Sequence, residues 1–109
     1  MDVQDFLPLA PRDLLILVVL AEGPSHGYGL IKEVEHRSES GLLLDPANLY
    51  RVLRRMRELG WIEEAAGDEP RRRVYRVTDR GRAVVSAELT RLERLLSQAR
   101  PALAGGQQA

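Results

Sequence analysis

The sequence predicts a mainly α chain with a small β-hairpin. Three observations predict it. Four stretches carry apolar residues at helical spacing or in apolar runs, and proline, glycine or a capping side chain bounds each of them. Two short alternating runs lie between the third and fourth stretches, around the turn-rich Ala66-Gly67-Asp68-Glu69-Pro70. The last stretch repeats its apolar residues in heptads.

The elements follow in order. Residues 1–10 form a leader with Phe6, Leu7 and Leu9, either loose or packed on a partner subunit. Pro11 fits the first helical position of a helix running to about Glu22. The run Leu14–Ala21 is apolar all round, so this helix should be buried on most sides. Ser25 is placed to cap a second helix ending near Ser40-Gly41, with Tyr28, Leu30, Ile31 and Val34 as its apolar positions. Gly27 and Gly29 in its first turn each cost about 1 kcal/mol against alanine. That cost asks for a close backbone approach, to a neighbouring helix or to a phosphate at the helix N-terminus.

The third helix, Asp45 to Gly60, has both ends marked. Asp45 can accept from free N–H groups of the first turn, Pro46 needs no hydrogen bond at the first position, and Gly60 can turn left-handed after the last. Leu49, Val52, Leu53, Met56 and Leu59 fill one stripe. Away from that stripe project Arg51, Arg54, Arg55 and Arg57, with Tyr50 beside them and only Glu58 opposed. Asn48 and Arg51 lie in the first turns, where a helix entering the DNA major groove contacts base edges. Arginine can grip guanine and asparagine can grip adenine there.

A short strand, Trp61–Glu64, precedes the turn, and a second, Arg71–Thr78, follows it. Alternation points Tyr75 and Val77 one way and Val74 and Arg76 the other. Arg71, Arg72 and Arg73 sit at the hairpin rim. Thr78 caps a last helix from about Asp79 to Arg100, with Pro101 as its stop and residues 101–109 as a disordered tail. Val85, Leu89, Leu92, Leu96 and Ala99 step in fours and threes, a seam suited to a second copy of the chain. Three helices, a hairpin and a long helix make a winged helix-turn-helix over residues 11–78 with a dimerisation helix over 79–100.

Composition narrows the function classes. With 109 residues the chain is one small domain with an extension, marginal alone and helped by oligomerisation. No cysteine is present, which removes disulfides, thiolate metal sites and cysteine nucleophiles. His26 and His36 are ten residues apart on one helix, without the spacing of a metal pair, and no nucleophile–base set is in view. No enzyme, metal or cofactor is expected. No secretory signal or membrane-length apolar run is visible, so a cytoplasmic, non-membrane protein is expected. The net charge is zero but segregated: residues 1–47 hold three Lys/Arg against eight Asp/Glu, and residues 48–82 hold ten against six. The neutral total weighs against nucleic-acid binding, yet the middle third can present a positive surface.

The residues that carry a family likeness are His26-Gly27-Tyr28-Gly29; Asn48-Leu49-Tyr50-Arg51, with Leu53, Arg55 and Met56, then Leu59-Gly60-Trp61-Ile62; and Tyr75, Val77-Thr78 and Gly81-Arg82. In this order and spacing the chain resembles the PadR family of bacterial transcriptional regulators. The resemblance implies a homodimer that binds a palindromic operator in double-stranded DNA, usually as a repressor. It also implies a small-molecule effector held at, or felt through, the dimer interface. By the same resemblance Tyr50 meets the DNA backbone and the wing arginines meet phosphates or the minor groove. Family members commonly carry threonine where Asn48 stands and proline where Arg51 stands, so the operator does not carry over. The expected DNA contacts are therefore Asn48, Tyr50, Arg51, Arg54, Arg55, Arg71, Arg72 and Arg73. The alternative is a winged-helix module that binds protein rather than DNA.

Overall fold

The computed structural model describes residues 2–65 and 73–106. Helices α1 (Pro11–Glu22), α2 (Gly27–Arg37) and α3 (Pro46–Glu58) precede the main strands, and α4 (Asp79–Gly106) follows them. Strands β1 (Ser25–His26), β2 (Ile62–Ala65) and β3 (Val74–Val77) form one antiparallel sheet in the order β1-β3-β2. The predicted hairpin is thus the larger part of a three-stranded sheet. Its extra strand comes from the stretch where a capping serine is expected. Ser25 and His26 pair with Tyr75 and Val74, and no side chain caps α2. The second helix also stops earlier than its sequence suggests, because Glu39 and Ser40 turn left-handed (φ 54° and 63°).

The core joins every element. Ile16, Leu17 and Leu20 of α1, Leu30 and Val34 of α2, and Leu49, Leu53 and Met56 of α3 are essentially sealed. Each such side chain contributes about 1.5–3 kcal/mol relative to exposure. Tyr75 and Val77 face this core while Arg76 faces out, as alternation predicts.

At the junction of α3, the sheet and α4, one threonine organises four backbone segments. Thr78 Oγ1 donates to the Gly60 carbonyl at 2.6 Å and accepts from Gly81 N–H at 3.1 Å, capping α4. Thr78 N–H donates to the Trp61 carbonyl at 2.9 Å. Gly60 turns the chain out of α3 at φ +80°. Gly81 is packed so closely that a Cβ there would lie 2.2 Å from the Trp61 carbonyl oxygen.

The leader is not loose: it is packed on its own chain. A 3-10 turn, Val3–Phe6, precedes it onto the core, and the Phe6 ring stands edge-on to Trp61 at 5.3 Å. Leu9 N–H donates at 2.7 Å to Glu88, a buried carboxylate on α4 that also accepts from Arg91 at 2.5 and 3.0 Å. Nothing local in the sequence marks Glu88, a carboxylate whose partner lies 79 residues away.

The last helix departs from expectation at its far end. Pro101 does not stop it; α4 continues to Gly106. A proline at this point withholds one hydrogen bond from the Ser97 carbonyl, on a stretch of helix whose residues are exposed. The extension adds Leu103 to the heptad seam. Val85, assigned by spacing to an intermolecular seam, is instead buried in its own core. The seam open to solvent therefore runs from Leu89 through Leu96 to Leu103, exposed by 44%, 50% and 74%.

Two outcomes follow from this packing. Arg91, outweighing the burial that acts the other way and aided by Leu9 N–H, holds the Glu88 carboxyl below the usual carboxylate range. Its stabilisation is complete above that range and is lost as pH falls through the depressed value. Glu88→Gln should therefore unfold at lower urea than the parent at about pH 7, by about 1–3 kcal/mol, with the difference shrinking towards about pH 3. Urea titrations of both proteins at the two pH values check this. Gly81→Ala should cost about 3 kcal/mol, since the obstacle is backbone rather than a side chain that can swing away; thermal unfolding measures it.

Candidate nucleic-acid interface

Helix α3 is held by its cap and its buried face. Asp45 accepts the Asn48 N–H at 2.9 Å, as expected of an N-cap. It also accepts the Asn48 side-chain amide at 2.7 Å, so Asn48 lies half-buried against its own cap. With Leu49, Val52, Leu53 and Met56 buried, rotation of the helix about its axis would expose core.

The opposite face presents Arg51 and Arg54 to solvent, with Glu58 between them and the helix end. Among the described residues neither arginine is paired with a carboxylate. Arg55 is also exposed, but it lies on the flank facing the leader and lines a cavity with Phe6 and Arg12. The expected arginine set therefore divides between an outward face and a side wall.

The other flank meets α2 and the sheet. Tyr50, half exposed, lies across the N-terminus of α2, where a Cβ on Gly27 would come 2.8 Å from its hydroxyl oxygen. Gly27 is thus the point of close approach between α2 and α3, and a neighbouring helix explains it without a bound phosphate. Arg57 donates to Glu64 at 2.5 Å, and Arg73 reaches the same carboxylate at 3.1 Å. Glu64 therefore clasps α3 to the rim of the sheet. Glu63 pairs across the strands with Arg76 at 3.1 Å. Both acids offset the basic residues beside the sheet, Glu64 half-buried and Glu63 exposed to solvent. Arg71 and Arg72 lie outside the described residues.

Burial raises the Tyr75 phenol above its ordinary value, and nearby Glu64 adds to the rise. Tyr75 thus stays neutral as a core residue. Trp61 fills the junction between α3 and the sheet, and its indole N–H is buried with no acceptor among the described residues. Such a donor costs about 1–3 kcal/mol. Among the described residues no group of three His, Asp or Glu side chains could hold a metal ion. None of their helices is long and apolar enough to cross a membrane.

A half-buried basic helix following a helix-turn, flanked by a small antiparallel sheet, defines a winged helix-turn-helix protein. The sequence matches the PadR-like family of transcriptional regulators over residues 16–87, and the chain belongs to that family. A relative from Lysinibacillus sphaericus, itself uncharacterised, is 31% identical over 77 residues, 68% of this chain and 71% of its own. The fold is similar to a PadR family transcription regulator from Clostridium difficile, with a TM-score of 0.73 and 22% identity over 86% of this chain and 99% of that one. It is also similar to a transcriptional regulator from Clostridium thermocellum, with a TM-score of 0.70 and 24% identity over 90% and 93% of the two chains.

Gly27→Ala should push Tyr50 off the α2 N-terminus and cost about 1–2 kcal/mol, as overpacking does. Adding Tyr50→Ala should recover part of that loss. A double-mutant cycle of unfolding free energies measures the coupling, and independent effects would contradict the contact.

Proposed function

We propose that this PadR-family chain is a homodimeric, sequence-specific DNA-binding repressor that acts on a two-fold operator. The observation that carries the reading is the division of α3. One face is locked in the core, while Arg51 and Arg54 stand on the face opposite, so only that face can be offered to a groove. Arg51, in the second turn, contacts bases; Arg54 and Tyr50, side by side on one flank of Arg51, hold phosphates. Asn48 contacts a base by exchanging its bond to Asp45 for one to the DNA. Arg55 reaches the backbone from the leader side, and Arg71, Arg72 and Arg73 anchor the wing.

Dimerisation follows from α4. Its open leucines span about 21 Å at 1.5 Å per residue, along a helix of about 42 Å. A second copy covers the seam, and two α3 helices then meet half-sites about 34 Å apart. Because Glu63 and Glu64 engage arginines beside the sheet, few phosphates are neutralised per subunit, and affinity is modest and salt-sensitive.

The test is DNA binding and footprinting on the region upstream of the chain's own gene, at two salt concentrations. A salt-sensitive footprint with two-fold symmetry is expected. A folded dimer that protects nothing at low salt would favour the protein-binding alternative. Arg51→Ala should narrow the gap between operator and unrelated DNA, by about 1–3 kcal/mol per half-site. Arg54→Ala should weaken both alike and flatten the salt slope by about 0.9 per subunit. Equal loss of specificity in the two variants would contradict the assigned roles.

A further inference from the structure

Helix α3 carries one arginine that the proposed DNA contacts leave out. Arg57 lies two turns beyond Tyr50 along the same face, with Arg54 between them. Its guanidinium donates to Glu64 on β2 at 2.5 Å, and Arg73, just before β3, meets the same carboxylate at 3.1 Å. Both arginine side chains are exposed, and Glu64 lies half-buried between them. Burial raises the Tyr75 phenol, and the further influences on it come from Glu64, Tyr50, Arg73 and Arg57, so these four gather around one point. A clasp from α3 to the sheet needs only one arginine. Among the described residues, two guanidiniums on one carboxylate leave a positive charge unanswered, beside Tyr50 and on the flank proposed for phosphates.

We propose that this junction of α3 and the sheet is a DNA-phosphate site, with Arg57 as its ligand and Arg73 beside it, and that Glu64 keeps it closed. A carboxylate and a phosphodiester carry the same single charge and meet a guanidinium in the same paired geometry. Glu64 therefore stands where a phosphate would. It belongs to the chain, so its effective concentration at Arg57 is high, and a single phosphate gains too little to expel it. The exclusion acts on DNA of every sequence, because phosphate contacts carry no sequence information. Glu64 thus lowers the background affinity and leaves discrimination to Arg51. The site rests on the DNA-binding reading and is tested apart from it.

The full-length parent, Glu64→Gln, Arg57→Gln and the double variant are titrated with the upstream DNA fragment and with unrelated duplex DNA, at about 50 and about 200 mM salt. Glutamine keeps a hydrogen-bonding side chain, and ion pairs this exposed contribute little stability, so all four proteins should fold alike. Glu64→Gln should bind both DNAs more tightly. Its gain should grow by about threefold per subunit from the higher salt to the lower, a slope steeper by about 0.9 for the one phosphate added. The ratio between the two DNAs should stay unchanged. Arg57→Gln alone should change little, and in the double variant the gain should vanish. A gain that survives in the double variant would come from bulk charge, and no gain at all would leave Glu64 a structural clasp. Either outcome overturns the site, while a footprint by the parent still upholds DNA binding. If Glu64→Gln alone binds DNA, the site stands and the regulator reading falls; if none of the four binds, both fall.

Discussion

The arrangement depends on Thr78. Its hydroxyl bonds to the carbonyl that ends α3 and to the N–H that begins α4, while its own N–H bonds to the carbonyl that begins β2. One short side chain therefore fixes the angle between the basic helix, the sheet and the long helix. A serine could supply the hydroxyl, but a threonine also restricts its rotamer. The neighbouring backbone leaves so little room that residue 81 must lack a Cβ. The distance between two α3 helices in a dimer would be set through this junction, because α4 carries the exposed seam and α3 the basic face.

Zero net charge does not prevent a positive face, because several of the acids are engaged within the chain away from it. Glu22 and Glu33 hold Arg37, Asp13 holds Arg12, and Asp45 is spent on the α3 cap. The bidentate bond from Arg37 keeps Glu22 below the usual carboxylate range, so it stays charged and engaged. Glu88 is sealed against Arg91. Glu58 is the acid left to oppose Arg51 and Arg54 on their own helix. Surface pairs of this kind contribute little stability each. Their effect here is on the field: they cancel charge where it is not used and leave it standing on one helix face.

Much of this was legible in the sequence because it is local. The caps of α3, its buried stripe, the alternation in β3 and the threonine before α4 are all set by residues within one turn or one pleat of each other. What escaped depends on distance along the chain. β1 is two residues long, and only its pairing with Tyr75 and Val74 makes it a strand. Glu88 looks like any surface glutamate of an amphipathic helix until Leu9 arrives. Glu64 reads as solvated until α3 and β3 bring Arg57 and Arg73 to it. The proline in α4 misled for a different reason: proline disfavours a helix interior without forbidding it, and this stretch of helix is exposed rather than packed against a neighbour.

The leader is a structural part of the fold rather than an appendage. Phe6 rests on Trp61, Leu9 is bonded to Glu88 on α4, and the first turn of α1 follows at once. Ten residues thus bridge the long helix and the flank of the basic helix. The bridge runs through the core, since Leu9 and Trp61 are core residues and Phe6 and Leu7 pack against them. The buried bond from Leu9 to Glu88 and the Phe6 contact with Trp61 thus add a second tie between α4 and the end of α3, beside the one that Thr78 makes.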